Sequence, residues 1–203
     1  MLLDVVELVG LVAFAASGAL VAVSKRLDLF GVCLIGVITA IGGGVIRDVL
    51  LGIVPPTSLN TWKFLTVASL TSLLVFFLHS AVRRLRREIL VLDAIGMGLF
   101  ASSGAAVALS VGASGQAACL IGATTAIGGG LLRDVLVNEM PLLLHRDLYA
   151  IPALIGSAVV VACSTLGLSV DVGLVLGTTL AAAIRLLALW RHWQLPGPRL
   201  VQD

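Results

Sequence analysis

Two stretches of this 203-residue chain set a run of glycines beside an ion pair: Ile41-Gly42-Gly43-Gly44-Val45-Ile46-Arg47-Asp48 and Ile127-Gly128-Gly129-Gly130-Leu131-Leu132-Arg133-Asp134. Glycine costs a helix about 1 kcal/mol relative to alanine and admits backbone angles that other residues avoid. Three in a row therefore mark a candidate break or kink. If the helix breaks there, carbonyl oxygens around residues 38–41 lose their partners, and such half-helix ends can coordinate cations. Thr39 and Thr125 sit one turn away and offer hydroxyl oxygens. A second reading stays open. Small residues let membrane helices approach closely, and a threonine hydroxyl can bond its own helix backbone.

Arg47, Asp48, Arg133 and Asp134 are ionisable groups inside apolar runs. Even the lower estimates put the cost of a charge at the bilayer centre at about 2.5–3.5 kcal/mol, so such residues face a partner or a watery path. Adjacent helical residues point about 100° apart, which disfavours pairing within one Arg-Asp dipeptide. The expectation is a crossed pairing, Arg47 with Asp134 and Arg133 with Asp48. An arginine beside a cation path opposes the ion, so these groups read as pore electrostatics or a gate, with purely structural pairs as the alternative. Glu7 and Asp93 read as acids at two mouths or as acids favoured at helix N-termini. Ser17-Gly18 and Ser103-Gly104 read as helix-contact residues.

Other chemistries have no support in these residues. His79, His145 and His192 are far apart, and Cys33, Cys119 and Cys163 lie in apolar runs. No metal site, cofactor or disulfide framework is expected. There is no phosphate loop, dinucleotide fingerprint or nucleophile elbow, and nothing pairs a nucleophile with a base. The expectation is a non-enzyme.

The helices needed to carry these residues can be read from composition. The chain is 59% hydrophobic and 12% charged, against about 25% charged in ordinary soluble domains. That excludes a soluble enzyme, a nucleic-acid binder and a disordered protein. Polar breaks leave seven long apolar runs, near Leu3–Val23, Leu29–Ile53, Trp62–Val82, Ile89–Val111, Ala117–Val137, Leu148–Leu168 and Val172–Trp190. They are apolar all round and close to the 20 or so residues that cross a bilayer as helix. The first run carries Asp4 and Glu7 where a signal peptide needs a basic region.

Lys25, Arg26, Arg83, Arg84, Arg86, Arg87, Arg146, Arg185, Arg191 and Arg199 fall on one side if the spans alternate, and Lys63 alone on the other. Basic residues gather on the cytoplasmic side, so the N-terminus is expected outside and the C-terminus inside. The Arg83–Arg87 cluster is first a topology signal and could also meet anionic lipid heads. Trp62, Trp190 and Trp193 sit at run ends, where aromatic anchors belong.

Shifted by 86 residues, positions 7–55 align with 93–141 without a gap, and almost half are identical. Thr39–Gly44 matches Thr125–Gly130 throughout, and Arg47–Leu50 matches Arg133–Leu136. Each copy holds three spans. An odd number makes the second copy enter from the opposite side, which predicts inverted repeats of the kind that recurs in transporters. The expected architecture is all-α and integral to the membrane, with seven helices, the second and fifth kinked at the glycine triplets. Residues 1–88 form the first repeat with its basic inner loop, 89–168 the second, and 169–203 a seventh, peripheral packing helix and cytoplasmic tail.

The doubled Gly-Gly-Gly-x-x-Arg-Asp, the doubled Ser-Gly-Ala at 17–19 and 103–105 and the seven spans resemble the prokaryotic trimeric intracellular cation (TRIC) channel family, some of whose members are catalogued as glycine transporters. The resemblance covers roughly residues 1–190. It implies a homotrimer in a bacterial or archaeal inner membrane, with one pore per protomer beside the second and fifth spans. It implies permeation by potassium, with sodium as a second ion, and contact with membrane lipids. The lysine-containing motif of the animal members is absent, so lipid-headgroup binding is not carried over. A secondary transporter for glycine or another small neutral solute is the alternative, since inverted repeats suit alternating access. The lack of an evident zwitterion-binding constellation favours the channel.

A cytoplasm-dependent reporter fused after Asp203 is expected to be active in cells. Activity of an export-dependent reporter at that position would overturn the orientation or remove one span.

Overall fold

A computed structural model describes residues 1–79, 85–144 and 148–195. Their elements are α1 (Leu2–Ser24), α2 (Leu29–Leu50), α3 (Thr57–Asn60), α4 (Trp62–Leu78), α5 (Leu85–Ser110), α6 (Gly115–Leu136), a 3-10 turn (Leu142–Leu144), α7 (Ala150–Thr165) and α8 (Val170–Arg191). Every expected run holds a helix, and α3 is a short addition between the second and third. Five helices, α1, α2, α5, α6 and α8, are long and apolar enough to cross a membrane. The other two apolar helices are shorter, with 17 residues in α4 and 16 in α7. Of the expected inner basic residues, Arg83, Arg84, Arg146 and Arg199 lie outside the described residues.

Residues 86 apart fold alike. Asp28 starts α2 by accepting the Gly31 N–H at 2.8 Å, and Ser114 starts α6 by accepting the Ala117 N–H at 3.3 Å. These side chains satisfy amides that a helix start leaves open. The left-handed residues also recur, Arg26 with Gly112 ahead of the helix and Gly52 with Asn138 after it. Gly52 and Asn138 end α2 and α6 earlier than the apolar pattern alone predicts, because a left-handed residue redirects the chain.

The core is built from close backbone approaches. Phe14 of α1 and Phe100 of α5 meet with ring centroids 5.2 Å apart. Gly96 receives the Phe14 ring and Gly10 the Phe100 ring. Gly18 lies against Thr39 and Gly104 against Thr125, while Gly36 and Gly122 receive Ser72 and Ser157. The eighth helix packs through Gly177 on Gly156 of α7 and through Thr178 and Ala182 on Gly98 of α5. It touches mainly the second copy, as a packing helix without a repeat partner.

The triplets do not break the helices: α2 continues through Gly42–Gly44 and α6 through Gly128–Gly130. The expected half-helix ends with free carbonyls are therefore absent. Instead the two helices cross there. A Cβ on Gly43 would overlap the Thr125 carbonyl oxygen, and one on Gly129 would overlap that of Thr39. The helix-propensity cost of glycine is offset by an approach that no larger residue permits. Gly44 is different, because a Cβ there would meet nothing within 4 Å.

Gly43→Ala and Gly129→Ala are each expected to destabilise the protein by about 1–3 kcal/mol, since a backbone carbonyl cannot yield to the added methyl. Gly44→Ala should be neutral or stabilising, by up to about 1 kcal/mol of helix propensity. Melting profiles in detergent check the order, and equal melting of Gly43→Ala and Gly44→Ala would show that the crossing is not close-packed.

Candidate functional site

Each Arg-Asp dipeptide sits in the last turn of its helix and organises the loop beyond it. Arg47 donates from Nε to Asp48 Oδ1 at 2.8 Å and from Nη1 to Glu7 Oε1 at 2.6 Å. The second carboxylate oxygen of Asp48 accepts the Thr57 N–H at 2.7 Å, which ties the start of α3 to the end of α2. Arg133 donates from Nε to Asp134 Oδ1 at 2.8 Å and from Nη1 to Asp93 Oδ1 at 2.8 Å. Asp134 Oδ2 accepts the Leu142 N–H at 2.9 Å, anchoring the 3-10 turn. Arg47, Asp48, Arg133, Asp134 and Asp93 are all buried.

This overturns the crossed pairing. Each arginine bonds the aspartate next to it and an acid 40 residues earlier within its own copy. A long guanidinium side chain can fold back over its neighbour, so the angle between adjacent residues does not forbid the pair. The mouth-acid expectation also needs correction for Asp93. That residue is 1% exposed, lies nine residues into α5 and compensates Arg133 from inside. Glu7 does border a cavity, as the partner of Arg47.

Thr39 and Thr125 donate to the carbonyls of Ile35 and Ile121, each at 2.6 Å. Their hydroxyls serve their own helices and pack on Gly18 and Gly104. Ser17 has more than a packing role: Arg133 Nη1 donates to its Oγ at 2.7 Å, reaching from α6 to α1. Its counterpart Ser103 is buried with no partner.

The two centres differ in what surrounds them. Beside Arg47 lies a cavity lined by Glu7, Leu11, Gly44, Ser58 and Phe64 among others. Its charged lining residues, Glu7 and Arg47, offset each other, and the buried Ser58 hydroxyl has no partner. Beside Arg133 the equivalent space is filled. A Cβ built on Gly130 would meet Tyr149 Oη at 2.8 Å, Asp93 Oδ1 at 3.4 Å and Arg133 Nη2 at 3.7 Å. The Arg185 guanidinium lies 4.9 Å from the centroid of the Tyr149 ring, and its Nη1 donates to the Leu148 carbonyl at 2.9 Å.

Sequence reasoning missed Tyr149 and Arg185. Arg185 counts there as a basic residue at a run end, yet it is 1% exposed. Its position six residues inside the end of α8, with apolar neighbours, was the signal that could have found it. Tyr149, the only tyrosine in the chain, carried no periodic signal. No cluster of three or more metal-ligating side chains occurs among the described residues.

An apolar helical bundle whose buried acids are held by arginines in the interior defines an all-helical integral membrane protein. A family model described as "Glycine transporter" matches residues 4–80 and again 90–165, and the chain belongs to that family. It is 38% identical over 198 residues to the UPF0126 inner membrane protein YadS of Escherichia coli strain K12, covering 97% of this chain and 96% of that one. It is 32% identical over 194 residues to the UPF0126 membrane protein YvgT of Bacillus subtilis strain 168, covering 95% of each.

Among solved structures it resembles one that gives the structural basis for conductance through TRIC cation channels, with TM-score 0.91, 41% identity and full coverage of both chains. It also resembles the TRIC trimeric intracellular cation channel orthologue from Rhodobacter sphaeroides, with TM-score 0.92 and 35% identity over 95% of this chain and 99% of that one.

Asp93→Asn and Arg133→Gln are each expected to cost about 3–5 kcal/mol, as removal of one partner strands a buried charge. The double variant should lose less than the sum. Arg47→Gln with Asp134→Asn should instead be additive, because those residues share no bond. Unfolding in detergent measures both cycles, and coupling in the second would restore the crossed pair.

Proposed function

We propose that this protein is a passive channel for monovalent cations, potassium first and sodium second, with a path through each protomer of a homotrimer. The observation that carries this reading is the polar cavity beside Arg47, lined by Glu7 and the unpartnered Ser58 hydroxyl. The likeness over the whole chain to a solved TRIC cation channel supports it. Glu7 attracts a cation. Arg47 limits how tightly it is held, because the carboxylate is already paired at 2.6 Å. Weak holding suits conduction, which requires that an ion can leave as readily as it enters.

In this reading all seven apolar helices cross the membrane, and the two copies are inverted about the α2–α6 crossing. The N-terminus lies outside. The ion pair between Lys25, after α1, and Glu139, after α6, supports the alternation of the spans, which puts both loops on one side; the excess of basic residues makes that side the inner one. The cavity beside Arg47 then opens outward, and the centre at Arg133 lies inward.

The family match favours a second reading, exchange of glycine or another small neutral solute. A zwitterion needs a carboxylate for its ammonium group and a cation for its carboxylate. Glu7 and Arg47 are of those types, but they bond each other.

Purified protein in liposomes separates the two readings. Potassium flux down a gradient, without exchange of labelled glycine, is expected. Glycine counterflow in the absence of ionic current would overturn the channel and establish the transporter.

A further inference from the structure

We propose that Tyr149, clamped by Arg185 from α8, is the inner gate of the cation path. The inference rests on the channel reading. The volume that is open beside Gly44 is occupied beside Gly130 by the Tyr149 hydroxyl. The residue 86 positions before Tyr149 is Lys63, which is exposed, so the first copy places no phenol at its own centre. The duplicated scaffold therefore has one side open and one side stoppered.

The stopper is the hydroxyl end of one side chain, lying with the Asp93 carboxylate at the buried Arg133 centre. A side-chain tip can swing aside without moving the helices. If the ring leaves, Asp93 Oδ2 faces the vacated space and offers it a carboxylate oxygen, as Glu7 does on the other side. The path then runs past Gly44 and Gly130 in turn.

Arg185 holds the ring in place. Its guanidinium stacks over the phenol, and its bond to the Leu148 carbonyl fixes the backbone just before the ring. A cation over an aromatic face is attracted to the ring quadrupole, more strongly when both are away from water. Arg185 Nε and Nη2 have no hydrogen-bond partner, and among the described residues no carboxylate bonds this arginine. The clamp comes from α8, the helix without a copy, which explains why one centre is shut and its counterpart is not.

Glycine at position 130 is part of the device. The hydroxyl fits only because Gly130 has no side chain, and the tip of a side chain yields more readily than a backbone. A methyl at position 130 should therefore displace the tyrosine and leave the helix in place.

The test is potassium flux into liposomes carrying wild type, Tyr149→Phe, Tyr149→Ala, Gly130→Ala or Arg185→Gln protein, each verified by size exclusion and melting. Tyr149→Ala, Gly130→Ala and Arg185→Gln are expected to raise flux several-fold. Tyr149→Phe keeps the ring and should give a smaller rise, so the gate stays testable if the alanine variant fails to fold. Wild-type flux that these folded variants leave unchanged or lower would overturn the gate and leave the channel reading standing. Flux indistinguishable from empty liposomes in wild type and every variant would overturn the channel reading and the gate with it. Flux that is undetectable in wild type and appears in Tyr149→Ala would support both.

Discussion

The structure depends on one crossing, where α2 and α6 pass with Gly43 and Gly129 each facing a carbonyl of the other helix. In lipid there is no hydrophobic force between helices, so association relies on van der Waals contact and on polar groups that find partners. A glycine-to-backbone approach gives dense contact without ordering any side chain. It also fixes where everything else lies. With the crossing centred on the triplets, Arg47 and Arg133 fall one turn beyond it on opposite flanks, and each comes within reach of the acid on the neighbouring helix of its own copy.

Those two arginines act as junctions between helices and loops. Each binds one carboxylate in its own helix and one on an adjacent helix, and the aspartate passes the connection on to a loop amide. A guanidinium has five donors in a rigid fork, so one residue can hold several segments without leaving a charge stranded. The same junction suits a conducting path, because charges already paired in the ground state repel or trap a passing ion less than bare ones would.

Much of this was legible in the residues. Each of the seven apolar runs holds a helix, five of them long and apolar enough to cross a membrane, and the 86-residue offset reappears as paired caps, paired left-handed residues and paired glycine contacts. The meaning of the triplets was not legible, because a missing side chain serves equally for conformational freedom and for close approach. Only the partner helix decides between them. The pairing of Arg47 was misread because helical geometry gives the direction of a Cβ, while a long side chain can bend back. Tyr149 and Arg185 were missed for a related reason. A single tyrosine between runs has no periodicity, and a basic residue near a run end looks like a topology signal until tertiary structure turns it inward.

The unpaired helix has a further consequence. In the proposed channel, two inverted copies left to themselves would present equivalent faces to the two sides of the membrane and pass current equally in both directions. Arg185 enters from α8 and acts on one copy alone. On the channel reading, that single contact gives an otherwise balanced molecule a polarity: ions arriving from its two sides would meet different obstacles, and the current–voltage relation would bend.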